Sequence, residues 1–156
     1  MSTKILGLQK DKVEELVVNL NELLANFQVY YQNLRGLHWN IRGKSFFELH
    51  VKFEELYTDS QEKVDLIAER ILTLEGTPLH TFDAYLALAS IPVGNNISKD
   101  TDAVQLVVKS LESLIEIERV ILNKADVADD EGTNALMSDF IAVQEKTVWM
   151  MKAWLY

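Results

Sequence analysis

The chain has 156 residues, 48% of them hydrophobic and 25% charged, with a formal net charge of −9 and no cysteine. This is one domain, 1–156, long enough to bury a sizeable core without covalent staples. The missing thiols exclude disulfides, thiolate zinc sites and cysteine-held iron–sulfur clusters, so any metal must be held by imidazole and carboxylate, ligands that suit iron, manganese or zinc. The anionic balance disfavours nucleic acid and anionic membranes and attracts cations. Neither a signal peptide nor the roughly 18 apolar residues of a membrane span is visible. The expected product is soluble and cytoplasmic.

In chain order, the first helix is predicted from about Asp11 to His38, with Leu16, Leu20, Leu23, Leu24, Phe27, Leu34 and Leu37 on a three-and-four-spaced stripe. Asp11 followed by Glu14 suits a cap at its start. The stretch Trp39-Asn40-Ile41-Arg42-Gly43 breaks the pattern and reads as a turn. A second helix opens on a capping box, Ser45 and Glu48, and its stripe runs from Phe46 to Leu72. Gly76 supplies a left-handed stop and Pro78 prevents resumption. A helix of about 45 Å follows from that span, a length typical of bundles.

Residues 77–100 read as a long connection with a short helix over Phe82–Leu88, which suits a crossover between helices parallel in space. A third long helix is expected from Thr101 to Ala125, an acidic turn from Asp126 to Gly132, and a fourth long helix from Thr133 to Trp154. No strand alternation and no repeat is evident. Four long helices with one crossover in the middle define an all-α, ferritin-like four-helix bundle.

Such bundles often hold two irons with Glu-x-x-His motifs in one subunit's core, and no Glu precedes a His by three residues here. The remaining imidazole–carboxylate candidates are His38, His50 and Glu54, then Asp65 and Glu69, the last two pairs each an i, i+4 face. His50 and Asp65 are about 22 Å apart along one helix, and His50 and Glu69 about 28 Å. One metal therefore cannot bind both ends of a single helix. The azimuth differs by only about 60°, so two copies packed antiparallel and crossing near Thr58 bring residue 50 of one beside residues 65–69 of the other. Any site is intersubunit. On spacing alone a second reading stands beside it: hydrogen-bonded histidines and a solvated carboxylate face. His80 reads as ordinary surface.

The stretch NLRGLHWNIRGKSFFELHVKFEELYTDSQEKVDLIAERILTLEGTP, with its H-W-N, F-x-E-L-Y and D-x-x-A-E-R-I elements, resembles the signature of the Dps family of mini-ferritins. DDEGTNALMSDFIAVQEKTVWMMKAWL is similar to that family's last helix. The resemblance implies a ferroxidase that oxidises Fe(II) to Fe(III), preferably with hydrogen peroxide, at a di-iron centre, and stores ferric mineral in a dodecameric shell against oxidative stress. Its iron ligands would be His38, His50 and Glu54 of one subunit with Asp65 and Glu69 of the two-fold mate. Glu54 stands where the family more commonly carries Asp.

Trp39 resembles the family tryptophan near the irons and Trp149 the second family tryptophan; core or interface packing is the alternative for both. Acidic pores at three-fold axes are also implied. Asp129, Asp130, Glu131 and Asp139 are the candidates for them, with Ala135 where many relatives are acidic, and an acidic helix start favoured by the macrodipole is the alternative. DNA binding is not expected from an acidic chain with no basic tail. The rival function is a Dps-like shell serving adhesion, binding or DNA contact without iron chemistry; a monomeric bundle with no site is the other.

Overall fold

A computed structural model describes residues 3–156. A two-residue hairpin opens it, β1 (Lys4–Ile5) antiparallel to β2 (Leu8–Gln9), where no strand is predicted. Its turn places Leu6 and Gly7 at φ 53° and 85°, the doubly left-handed geometry that matches strand twist. Five helices follow: α1 (Lys10–Asn40), α2 (Phe46–Thr73), α3 (Phe82–Leu88), α4 (Asp100–Val127) and α5 (Glu131–Trp154). Among the described residues no helix is long and apolar enough to cross a membrane.

Side-chain pairs fix the directions. Tyr31 meets Tyr57 and His38 meets His50, so α1 and α2 are antiparallel. Lys124 reaches Glu15 at 2.5 Å, so α4 opposes α1, and Lys152 reaches Glu112 at 2.5 Å, so α5 opposes α4. Helices α2 and α4 are therefore parallel, as the long connection requires. Leu16, Leu20, Leu34, Phe53, Ile67, Leu114 and Ile121 are fully buried along the shared axis, and Phe27 and Phe140 meet edge to face at 6.0 Å.

Three asparagines on α1 hold the crossover. Asn21 accepts from Leu79 N–H and donates to the Thr77 carbonyl; Asn26 accepts from Ser90 and Ile91 N–H; Asn33 accepts from Gly94 N–H and donates to the Pro92 carbonyl, all between 2.8 and 3.1 Å. An amide presents donor and acceptor together, so Asn21 and Asn33 mimic the edge of a strand for an otherwise unpaired backbone, while Asn26 gives the crossover its oxygen alone and donates to the Glu22 carbonyl of α1.

Helix ends depart from expectation. Trp39 and Asn40 still belong to α1, which begins at Lys10 with no side-chain cap from Asp11. Ser45 precedes α2 without capping it by its side chain. Glu75, not Gly76, takes the left-handed position after α2 (φ 62°), and Gly76 N–H bonds to the Ile71 carbonyl at 2.9 Å. Gly76 is small for another reason: a Cβ there would lie 2.7 Å and 2.9 Å from the Val17 methyls. The acidic turn is shorter than predicted, since α4 runs to Val127 and α5 starts at Glu131. Leu72 is 58% exposed rather than inward.

Candidate metal centre

The antiparallel α1–α2 hairpin sets His38, in the last turn of α1, against His50, in the second turn of α2. Their rings stack with centroids 3.7 Å apart and an interplanar angle of 12°. His38 Nδ1 lies 2.6 Å from the His50 carbonyl oxygen, and His50 Nδ1 lies 2.7 Å from the His38 carbonyl oxygen. A carbonyl only accepts, so both Nδ1 atoms carry the hydrogen. In each neutral ring the lone pair then sits on Nε2, which leaves that nitrogen free to bind a metal. Phe46 stacks on His50 at 5.0 Å and Tyr57 meets His38 edge-on at 5.4 Å, which fixes the rotation of both rings.

Glu54 is exposed one turn beyond His50 and accepts a 3.3 Å bond from Tyr57 Oη. Partial burial, then the Glu54 carboxylate, raises the Tyr57 phenol above its ordinary range and keeps it a donor. Asp65 and Glu69 are exposed further along α2, and the chain does not bring them to the histidines. Among the described residues no three His, Asp or Glu side chains converge within the chain. Between the two ends, Val51, Glu54, Glu55, Thr58, Asp59 and Glu62 line a shallow open groove on the outer face of α2. Thr58 stands in it, at the point about which a two-fold axis would exchange the ends.

Both tryptophans lie outside the core, which removes core packing as their explanation. Trp39 is 58% exposed with the Arg35 guanidinium 4.9 Å from its ring centroid, and Trp149 is 66% exposed. His80 is at the surface, its Nδ1 3.0 Å from the Pro78 carbonyl.

The acidic turn divides. Asp130 is buried as the N-cap of α5: it accepts from Thr133 N–H at 3.1 Å and from Arg70 Nη2 at 2.6 Å. It clamps the end of α2 to the start of α5, so it is not a free carboxylate. Asp129, in the left-handed position after α4 (φ 56°), Glu131 and Asp139 are exposed. Sequence reasoning also passes over a polar group inside the bundle, where Ser60, Lys63, Glu118 and Gln144 are buried. The signal was a gap in the predicted apolar stripe of each helix: between Tyr57 and Val64, between Ile115 and Ile121, and between Ile141 and Val148.

The Ferritin family, described as a ferritin-like domain, matches residues 17–156. The crystal structure of a Dps protein from Vibrio cholerae O1, a member of a broad superfamily of ferritin-like diiron-carboxylate proteins, is 50% identical; this chain is covered to 100% and that one to 98%, with a TM-score of 0.97. A Dps protein from Bacillus brevis is 38% identical over 94% of this chain and 98% of that one, with a TM-score of 0.91. The DNA protection during starvation protein of Porphyromonas gingivalis is 42% identical over 97% of this chain and 95% of its own length. The fold is that of the ferritin-like class, and within it the chain belongs to the Dps family.

Proposed function

We propose that this protein is a ferroxidase and iron store, acting in the cytoplasm. It oxidises Fe(II) with hydrogen peroxide at two-fold interfaces of a dodecameric shell and keeps the ferric product inside. The observation that carries this is the reciprocal Nδ1–carbonyl pairing of His38 and His50, which turns both rings into oriented Nε2 donors. The same two carbonyls that fix the tautomer leave both Nε2 lone pairs free for a metal.

His38, His50 and Glu54 hold the ferrous substrate from one subunit, and Asp65 and Glu69 hold it from the mate across the Thr58 groove. The carboxylates offset the charge of the iron and favour the ferric product; the mixed imidazole and carboxylate set suits iron. Two ferrous ions give one electron each, and hydrogen peroxide with two protons becomes two waters. No hydroxyl radical is left over, and that balance protects a starved cell. Trp39 stands at the rim beside His38.

Peroxide-driven oxidation of anaerobic Fe(II), followed optically, tests the reading. His38→Ala/His50→Ala is expected to slow it by more than about tenfold. Equal initial rates in the variant and the wild type would refute the assignment.

A further inference from the structure

Inside the bundle, away from the histidines, a glutamate is buried without a counter-ion in contact. Glu118 of α4 is 0% exposed. Its Oε2 accepts from Gln144 Nε2 of α5, while Glu118 Oε1 and Gln144 Oε1 find no partner among the protein's groups. The cation that acts on it most strongly is the Lys63 ammonium of α2, itself 6% exposed and 5.4 Å from the Phe140 ring centroid. That ammonium is bonded to Asp59, one turn earlier on α2, whose side chain is 45% exposed and lines the outer groove.

Lys63 thus stands between two carboxylates, one facing out and one facing in, and touches only the outer one. Burial of a carboxylate with no counter-ion in contact and one oxygen unpaired favours its neutral form. Burial pushes the Glu118 carboxyl up to about 8, offset only in part by the Gln144 bond and by Lys63 and Arg119. The other groups facing the cluster do not change this account. From α1 comes Tyr30, whose phenol is buried and raised, so it stays neutral. Arg119, on α4 itself, is turned to Glu145 of α5 at the surface.

We propose that Glu118 and Lys63 form a proton-linked switch: with Glu118 protonated Lys63 pairs outward with Asp59, and with Glu118 ionised Lys63 turns inward to Oε1 and releases the Asp59 carboxylate into the α2 groove. The flexible four-carbon stem of lysine permits the swing without backbone movement. The groove already carries Glu54, Glu55 and Glu62. A freed Asp59 adds one negative charge to the face where cations collect, so alkaline conditions strengthen that attraction.

The test is difference infrared spectroscopy of the iron-free protein against pH. The carbonyl stretch of a protonated carboxylic acid is expected at neutral pH, is lost with a midpoint near 8, and is absent from Glu118→Gln. Lys63→Gln removes the inward counter-ion and moves the midpoint up. Asp59→Asn, at a half-exposed site that tolerates it, frees Lys63 and moves the midpoint down. Absence of the band from the folded wild type, or one midpoint shared by the wild type and Asp59→Asn, overturns the switch. The readout uses no iron, so its failure and that of the ferroxidase reading are separable.

Discussion

Gly76 shows how one residue type serves two physical ends. As a helix stop it would supply a left-handed φ, but Glu75 does that, and Gly76 instead lets α2's end approach Val17 of α1. Gly76→Ala should therefore destabilise by about 1–3 kcal/mol through overpacking, read from urea midpoints at fixed protomer concentration. Asp130→Ala removes both a cap and the partner of a largely buried Arg70, and about 2 kcal/mol is the expected loss.

Glu118 gives a pH dependence with a definite sign. Its folded-state carboxyl lies above its unfolded value, so the native chain binds the extra proton between the ordinary range and about 8. Its contribution to stability is complete at acid pH and is lost as pH rises through that window. Glu118→Gln should accordingly gain on the wild type between about pH 5 and about pH 8, measured by the same midpoints.

At the scale of elements, periodicity carries most of the fold. The stripes of Leu, Ile and Phe locate the four long helices because burial of an apolar face has a period that the sequence displays directly, whereas α3 buries no residue and has no such stripe. The ends were less legible. Asp11 looks like a cap but lies inside the first turn, because α1 begins at Lys10 with Gln9 in the cap position; Ser45 holds the cap position of α2 without making the capping bond.

The crossover clamps were also hidden. An asparagine on a helix looks like surface until the chain that it holds is present. Asn26→Ala leaves the Ser90 and Ile91 amides unpaired, and about 1–3 kcal/mol is the expected cost, with faster hydrogen exchange at those two amides than at the α1–α2 core. Lys63 and Glu118 escaped notice because charged residues on helices are normally solvated; only the gaps in the stripes mark them.

For the whole molecule, the length of α2 is decisive, because it keeps the two ends of the candidate site apart within one chain. His38 and His50 come together within the chain, stacked at 3.7 Å, while Asp65 and Glu69 stay at the far end of the same helix face. What the sequence left open was the tautomer, which follows from two backbone carbonyls that no motif reports. A chain at −9 repels the phosphate backbone, so no retardation of duplex DNA is expected at physiological salt. A salt-sensitive shift in a gel assay would contradict that expectation.

The central claim is that each oxidation site takes its imidazoles from one subunit and its distal carboxylates from another. The direct test is to unfold, mix and reassemble two variants, His38→Ala/His50→Ala and Asp65→Ala/Glu69→Ala, each inactive alone, and to assay peroxide-driven Fe(II) oxidation. Random pairing across a two-fold axis makes half of the pairs mixed and restores one of the two sites in each, so about a quarter of wild-type activity should return. A reassembled mixture no more active than its parents, in shells of wild-type size, would contradict the shared site.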